Sequence, residues 1–470
     1  MGNLFAALHS AGQALDAFQR AIDVTQSNVT NANTPGYVKQ IATMQTVDPG
    51  AAGQIGSVTE HTQDTRSQFA EAAVQQQVSL LGEFQQLQAS LTPLQTAFDV
   101  SSSSAIPSAL NQLFQSFSNW STQPGDSTAQ ANVISAAQQT AAAFQQTAAQ
   151  LATIRATTEA TLRSTVAQIN QDAAQVQAYN VAVARDGGTN PSLQSQLYSA
   201  LEDLSSLTDV QVIPGNGDSV TVLLGGQTPL VIGNQLNALQ VQTDASNGQN
   251  GPPNVSIVDS SGKDVTPLIN SGSAYALLNV RNNLIPSLAG GGQQVGDLNT
   301  LAKGLADAVN NLLAQGSTTT SPPYQAGAPL FAYNSASPSN VAGTLAVDPA
   351  MAPGQLAAND PGPPPVSNGI ALKLASLDSA TGGQINGLSF TQFFASLVAR
   401  VGNAASNAST SATAQAQLVT QAKNLRQQLS GVSIDDEAVN LVQLQSSYQA
   451  VSKLVTVVDQ LTQALINMVQ

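Results

Sequence analysis

Leu8, Leu15, Ile22 and Val29 recur at heptad spacing near the start of this chain, and Leu4, Ala11 and Phe18 stand four residues before the first three. Apolar residues spaced by three and then four mark one face of an amphipathic helix, in the pattern of a coiled-coil seam. Gln13, Asp16, Arg20, Asp23 and Gln26 occupy the other face. The helix then meets Asn31-Ala32-Asn33-Thr34-Pro35-Gly36-Tyr37. Pro35 biases Thr34 away from helical backbone and Gly36 permits a tight turn, so the helix ends at a shaped corner. Such a stripe has nothing local to cover it and needs a partner.

The far end supplies a second stripe. From Ser433 the chain reads as one helix to Gln470, with Leu441, Tyr448 and Val455 in one heptad row and Leu444, Val451, Val458 and Leu465 in the next. Leu454, Leu461 and Met468 widen its apolar face beyond a two-helix seam, which predicts more than one helical neighbour. The expectation is that the two terminal stripes bury each other.

Asn31-Ala32-Asn33-Thr34-Pro35-Gly36-Tyr37 after an N-terminal helix resembles the signature of the bacterial flagellar rod, hook and hook-associated proteins. The segment from Gly431 through Ser-Ile-Asp-Asp-Glu-Ala to Ala450 is similar to the C-terminal part of the hook-associated members that join hook to filament. The resemblance implies a structural subunit of the flagellum that forms a ring with copies of itself. Its implied neighbours are the hook protein and the second hook–filament junction protein. It further implies passage through the flagellar export apparatus without a cleaved signal, and an extracellular destination. A cytoplasmic export chaperone is implied at the C-terminal helix, where Leu454, Leu461 and Leu465 are the expected contacts. Tyr37 and Tyr448, as aromatic anchors with a polar tip, are candidates for contacts between subunits.

Composition excludes several classes. Of 470 residues only 9% are charged and 4% aromatic, while 42% are hydrophobic. Ordinary domains carry about 25% charge. A surface solvated by Gln, Asn, Ser and Thr suits close packing against copies of itself, where buried charge costs desolvation. A net charge of −14 with no basic cluster argues against nucleic acid as a partner. No cysteine is present, which removes disulfides and thiolate chemistry. No apolar run approaches membrane-spanning length, so no membrane partner is expected.

Between the ends, Gln40 to Thr65 reads as a connector with a turn at Asp48-Pro49-Gly50. Helical periods follow over Asp64–Phe98, with Phe69 on the apolar stripe, and over Ile106–Trp120 and Ser127–Arg185. The last has no Gly or Pro and reads as a rod component. A short helix covers Leu193–Leu207. At Asp209 the period changes to alternation. Val210, Val212, Val220, Val222 and Leu224 flank Gly215-Asn216-Gly217-Asp218, a hairpin signal. Leu230–Ile232, Leu239–Val241 and Val255–Val258 add strands. Helix returns over Gly272–Gln315, interrupted at Gly290-Gly291-Gly292, and Ser389 is placed to cap the next helix.

The fold class expected is therefore mainly α with an inserted β-rich domain. Residues 1–40 and 433–470 form a terminal coiled coil. Residues 41–208 and 366–432, with the helix 272–315, form a helical shaft. Residues 209–271 and 316–365 form the β-rich insertion.

No chemistry converges. His9 and His61 lack further histidine or cysteine ligands nearby, so no metal or other cofactor is expected. Asp435, Asp436 and Glu437 follow Ser433 and read as first-turn acids complementing a capped helix. Asn28-Val29-Thr30 fits a glycosylation pattern, but its place in the seam argues against modification. The function expected is structural, without enzymatic activity. Its alternatives are another axial protein, hook or distal rod, or a secreted enzyme or adhesin carrying an axial-protein core.

Overall fold

The structure is a computed structural model that describes residues 2–34, 36–47, 57–186, 190–244, 251–378 and 385–469. It is mainly helical with a small β-rich region in the middle of the chain, as expected.

Helix α1 (Gly2–Asn31) leads into β1 (Gln40–Val47) and β2 (Ser57–Asp64). Then come α2 (Gln68–Ala97), α3 (Ile106–Thr122), α4 (Ser127–Asp186) and α5 (Pro191–Leu207). The strands β3 (Val210–Pro214), β4 (Val220–Leu224), β5 (Thr228–Ile232) and β6 (Gln235–Leu236) make one antiparallel sheet in chain order. β7 (Gln240–Thr243) pairs with β8 (Val255–Val258). The helices α6 (Gly272–Asn279), α7 (Ile285–Ala289) and α8 (Asp297–Gln315) follow, with a π-turn at Val280–Leu284 between the first two. β9 (Phe331–Ala332), α9 (Val341–Thr344), β10 (Ala346–Val347) and α10 (Gly369–Ala375) are short. Two long helices close the chain, α11 (Phe390–Ser430) and α12 (Ile434–Val469).

Local chemistry explains the long elements. The 60 residues of α4 are rich in Ala and Gln and free of Gly and Pro, so nothing interrupts propagation. Ser389 accepts from the Gln392 amide while the Gln392 side chain accepts from the Ser389 N–H, a reciprocal cap that starts α11.

Helix α4 runs through two cores. Its first half, with Val133, Phe144 and Leu151, packs with α3, α8, α10 and the start of α11 around Trp120, Phe117 and Phe390. Its second half, with Leu162, Ile169 and Val176, packs with α5, α6 and the sheets through Leu201, Val222 and Ile257. The two stretches expected to share one β-rich insertion therefore contribute to different cores. Residues of 209–271 join the second, whereas Leu330, Phe331, Leu345 and Val347 of 316–365 join the first. The reason is length: β9 and β10 pair only over two residues each and gain their burial from α8 and α4.

Two local expectations are corrected. Residues 40–64, read as a connector, contain paired antiparallel strands, with Gln40 opposite Asp64 and Val47 opposite Ser57. The expected turn at Asp48-Pro49-Gly50 lies outside the described residues. Phe69, on the apolar stripe by its spacing, is 74% exposed. Ala70, Glu71, Val74 and Val78 are buried at that end, which turns position 69 outward by about 100° from Ala70.

Candidate functional site

Both chain ends meet at one place. Asn28 near the end of α1 touches Glu437 in the first turn of α12, so the two helices run antiparallel from that point. Phe18, Ala21 and Thr25 share a cavity of about 400 Å³ with Leu444, Gln443 and Ser447 and with Lys39 to Ala42 of the hairpin.

The packing differs from a simple leucine seam. Leu8, Leu15 and Phe18 are half-buried, as are Leu441, Leu444, Tyr448, Val451, Val455 and Val458 on α12. Among the described residues, the buried positions of α1 are Ala11, Ala17, Ala21, Ile22, Thr25 and Asn28. Small residues at 17, 21 and 25 let both the hairpin and α12 approach the backbone closely. Val29 is 37% exposed, at the edge of the contact rather than in it. Asn28 is turned fully inward by its hydrogen bonds, which carries Val29 about 100° away. The side chains of Leu4 and Leu465 lie outside the described residues, and so does Pro35.

The corner after α1 is built from its own motif. The Asn31 side chain donates to Ser27 O (3.0 Å), the Thr34 N–H donates to Asn31 O (2.9 Å), and the Tyr37 N–H donates to Thr34 O (3.1 Å). Ala32 is half-buried, whereas Asn33 is exposed. Gly36 has φ +74, and a Cβ there would stand 2.5 Å from the Ser195 carbonyl oxygen of α5. Position 36 thus needs glycine both for backbone sign and for space. The Gly36 carbonyl accepts from Arg66 (2.8 Å), whose guanidinium stacks 3.6 Å over the Tyr198 ring. Arg66 also pairs with Glu71, and Glu71 with Arg426 of α11, which in turn reaches Glu202 of α5. This chain of charges ties the corner to the ends of three shaft helices.

Asn28 is the centre of the arrangement. Its Nδ2 donates to Gln40 O (2.8 Å) and Glu437 Oε2 (3.0 Å). Its Oδ1 accepts from Tyr37 OH (2.9 Å) and the Gln40 N–H (2.9 Å). Lys39 Nζ lies 2.8 Å from Glu437 Oε1. The Lys39 N–H donates to Ser430 O (2.9 Å), the last residue of α11. Ser430 Oγ donates in turn to Thr65 O (2.9 Å) and accepts from the Ser67 N–H (3.0 Å). Burial pushes the Tyr37 hydroxyl above its usual range, the Ser27 hydrogen bond pulls it down, and the Glu437 charge pushes it up. Tyr37 therefore stays protonated and donates.

The acidic cluster is thereby divided. Asp435 and Asp436 are exposed in the first turn of α12, and the Asp436 N–H faces Ser433 Oγ at 3.4 Å. Glu437 is buried and ion-paired, a role the reading as a capped first turn did not include. Asn28 likewise sits in a glycosylation pattern in the sequence, yet is fully buried. The available signal was its position: the row Ala7, Ala14, Ala21 ends in an asparagine, a polar residue on an otherwise apolar line. His9 is exposed, 3.2 Å from Gln13 Nε2. Among the described residues no three His, Cys, Asp or Glu side chains gather as a metal site would require, and no helix is long and apolar enough to cross a membrane.

Comparison with known proteins places this geometry. Residues 8–37, which hold Asn28 and the corner, match the flagella basal body rod protein family. Residues 425–468, which hold Arg426, Ser430 and Glu437, match the C-terminal family of the flagellar basal body rod FlgEFG proteins. Residues 91–331 match the helical domain of flagellar hook-associated protein FlgK. The chain is 26% identical to flagellar hook-associated protein 1 of Bacillus subtilis, over 99% of each chain. It is 37% identical to the protein of the same name from Escherichia coli over 21% of this chain and 18% of that one. In structure it resembles the flagellar hook junction protein FlgK of Burkholderia pseudomallei, with a TM-score of 0.62 at 17% identity, covering 77% of this chain and 100% of the other. With both ends and the shaft matched in this order, the chain belongs to the family of flagellar hook-associated protein FlgK, structural proteins of the junction between hook and filament.

Proposed function

We propose that this chain is one of the identical subunits of a ring between hook and filament, held to its neighbours by the paired terminal helices. The observation that carries the reading is the face that α12 turns away from α1. Val439, Val442, Leu454, Val457 and Leu461 are each more than half exposed there. Burying one such side chain contributes roughly 1.5–3 kcal/mol, so neighbouring copies gain by covering them. The hook protein and the second junction protein are the partners at the two faces of the ring.

Before assembly the same stripe is an aggregation hazard. A cytoplasmic chaperone that covers Leu454, Leu461 and Leu465 answers it, and the export apparatus then carries the chain to the cell exterior without a cleaved signal. The role is structural, with no catalysis. Val439→Asp combined with Val442→Asp tests the assembly reading, because both positions are open in the subunit and neither is a chaperone contact. Cells with this variant should export a folded protein, build hooks and lack filaments. Normal filaments would overturn the reading. A chain ending before Ser433 should lose the chaperone, and undiminished co-purification would place that contact elsewhere.

A further inference from the structure

Each terminal helix presents a heptad row that ends in one polar residue. On α1 the row is Ala7, Ala14, Ala21 and then Asn28. On α12 it is Val458, Val451, Leu444 and then Glu437. The two polar residues meet at 3.0 Å. Counted back from that contact along antiparallel helices, Ala21 falls opposite Leu444 and Ala14 opposite Val451. Shifting one helix by a heptad exchanges alanine for alanine and aliphatic for aliphatic, so the apolar rows discriminate poorly between registers. The polar ends discriminate sharply. In a shifted pair the Glu437 carboxylate faces an alanine, away from Lys39 and Asn28, and the four hydrogen bonds of Asn28 lose an arm. An unpaired buried carboxylate costs far more than a changed methyl contact.

We propose that Asn28, Glu437 and Lys39 form a polar lock that selects the register of the terminal helix pair. Lys39 belongs to it through position: its backbone N–H is held by Ser430 at the end of α11 and its ammonium by Glu437 at the start of α12. The lock therefore refers the register of the pair to the shaft, and fixes how far Leu454 and Leu461 stand from it. The hydrogen bond from Asn28 of α1 to Glu437 of α12 lies at this end. The lock is a property of the single subunit, and its test does not depend on the assembly reading.

The absence of native cysteine allows a direct measurement, since every disulfide formed is an engineered one. Ala14→Cys with Val451→Cys reports the observed register, and Ala7→Cys with Val451→Cys reports the heptad shift that sets Glu437 opposite Ala21. Each pair is placed in the native background and in an Asn28→Ala, Glu437→Leu background, which continues both apolar rows and keeps the helices able to pack. Oxidation of the native background should close the first pair only. In the altered background the first disulfide should fall and the second appear, while Trp120 fluorescence shows the shaft still folded. Retention of the first disulfide alone would overturn the proposal. Loss of both would also overturn it, because the polar residues would then hold the helices together without choosing a register.

Discussion

Gly82 lies inside α2, where glycine is about 1 kcal/mol less favourable than alanine. Helix propensity alone therefore predicts that Gly82→Ala stabilises the protein. The packing reverses the sign. An added Cβ would stand 2.0 Å from the Ser206 carbonyl oxygen at the end of α5 and 2.9 Å from its carbonyl carbon. Both atoms are backbone, so no side-chain rotation relieves the overlap. Reaching ordinary contact requires α2 and α5 to part by about 1.5 Å. Ser273 Oγ bridges the same place, donating toward Gly82 O (3.3 Å) and Ser206 O (3.2 Å). Overpacking costs about 1–3 kcal/mol and each weakened hydrogen bond about 0.5–1.5 kcal/mol. After the propensity gain of about 1 kcal/mol, a net loss of roughly 1–5 kcal/mol remains. Urea unfolding followed by circular dichroism and by the fluorescence of Trp120, the single tryptophan and fully buried, measures it. Gly402→Ala in α11 is the control, because a Cβ there meets nothing within 4 Å. It should gain about 0.5–1 kcal/mol. A Gly82→Ala variant as stable as the native protein, or more so, would refute the close-approach argument.

Asn28→Ala removes four hydrogen bonds and leaves the Gln40 amide and the Glu437 carboxylate short of partners. A local loss of about 2–4 kcal/mol is expected, read as faster amide exchange at Gln40 with Trp120 unchanged; unaltered protection at Gln40 would contradict it. Asp172 is buried on α4 with one oxygen unpartnered. Burial pushes its carboxyl up, the Gln168 hydrogen bond pulls it down and the Asp203 charge pushes it up, for a net rise. A raised folded pKa means stability is lost as pH rises through the carboxylate range, so Asp172→Asn should stabilise by about 1 kcal/mol at neutral pH. The gain should vanish below the ordinary aspartate pKa, and equal stability at pH 7 would count against it. Glu202 behaves in the opposite sense. Burial raises it, but Lys423 and Arg426 outweigh that and hold it below its usual range. The stability it contributes is present above the unfolded glutamate pKa and is lost as pH falls through the folded one. Glu202→Gln should flatten that acid limb in pH-dependent melts, and an unchanged limb would refute the assignment.

Much of this fold is readable along the chain because its causes are local. The heptads of both ends, the reciprocal cap at Ser389 and the uninterrupted run of α4 each follow from residues a turn or two apart. The alternation of Val220, Val222 and Leu224 likewise announces a strand whose inward positions are buried. The hairpin at residues 40–64 escaped because Gln and Thr dominate its strands, so its pairing with itself and its contact with α1 stabilise it without an apolar alternation. Burial within α1 could not be ranked from spacing either. Leucines and alanines of one helix share a broad face, and only the approach of the hairpin and α12 made Ala21 and Thr25 central and Val29 peripheral.

The sequence by itself determined that both ends are amphipathic helices, that a rod of helices lies between them with strands inserted, and that the corner at residues 31–37 belongs to the flagellar axial proteins. Tertiary structure alone decided what the corner does. Asn28 and Glu437 stand 409 positions apart, and although each closes a heptad row of its own helix, nothing local pairs one with the other. A buried carboxylate becomes tolerable only where a lysine and an amide converge on it. That convergence depends on three-dimensional closure of the chain ends, which no spacing within either end encodes.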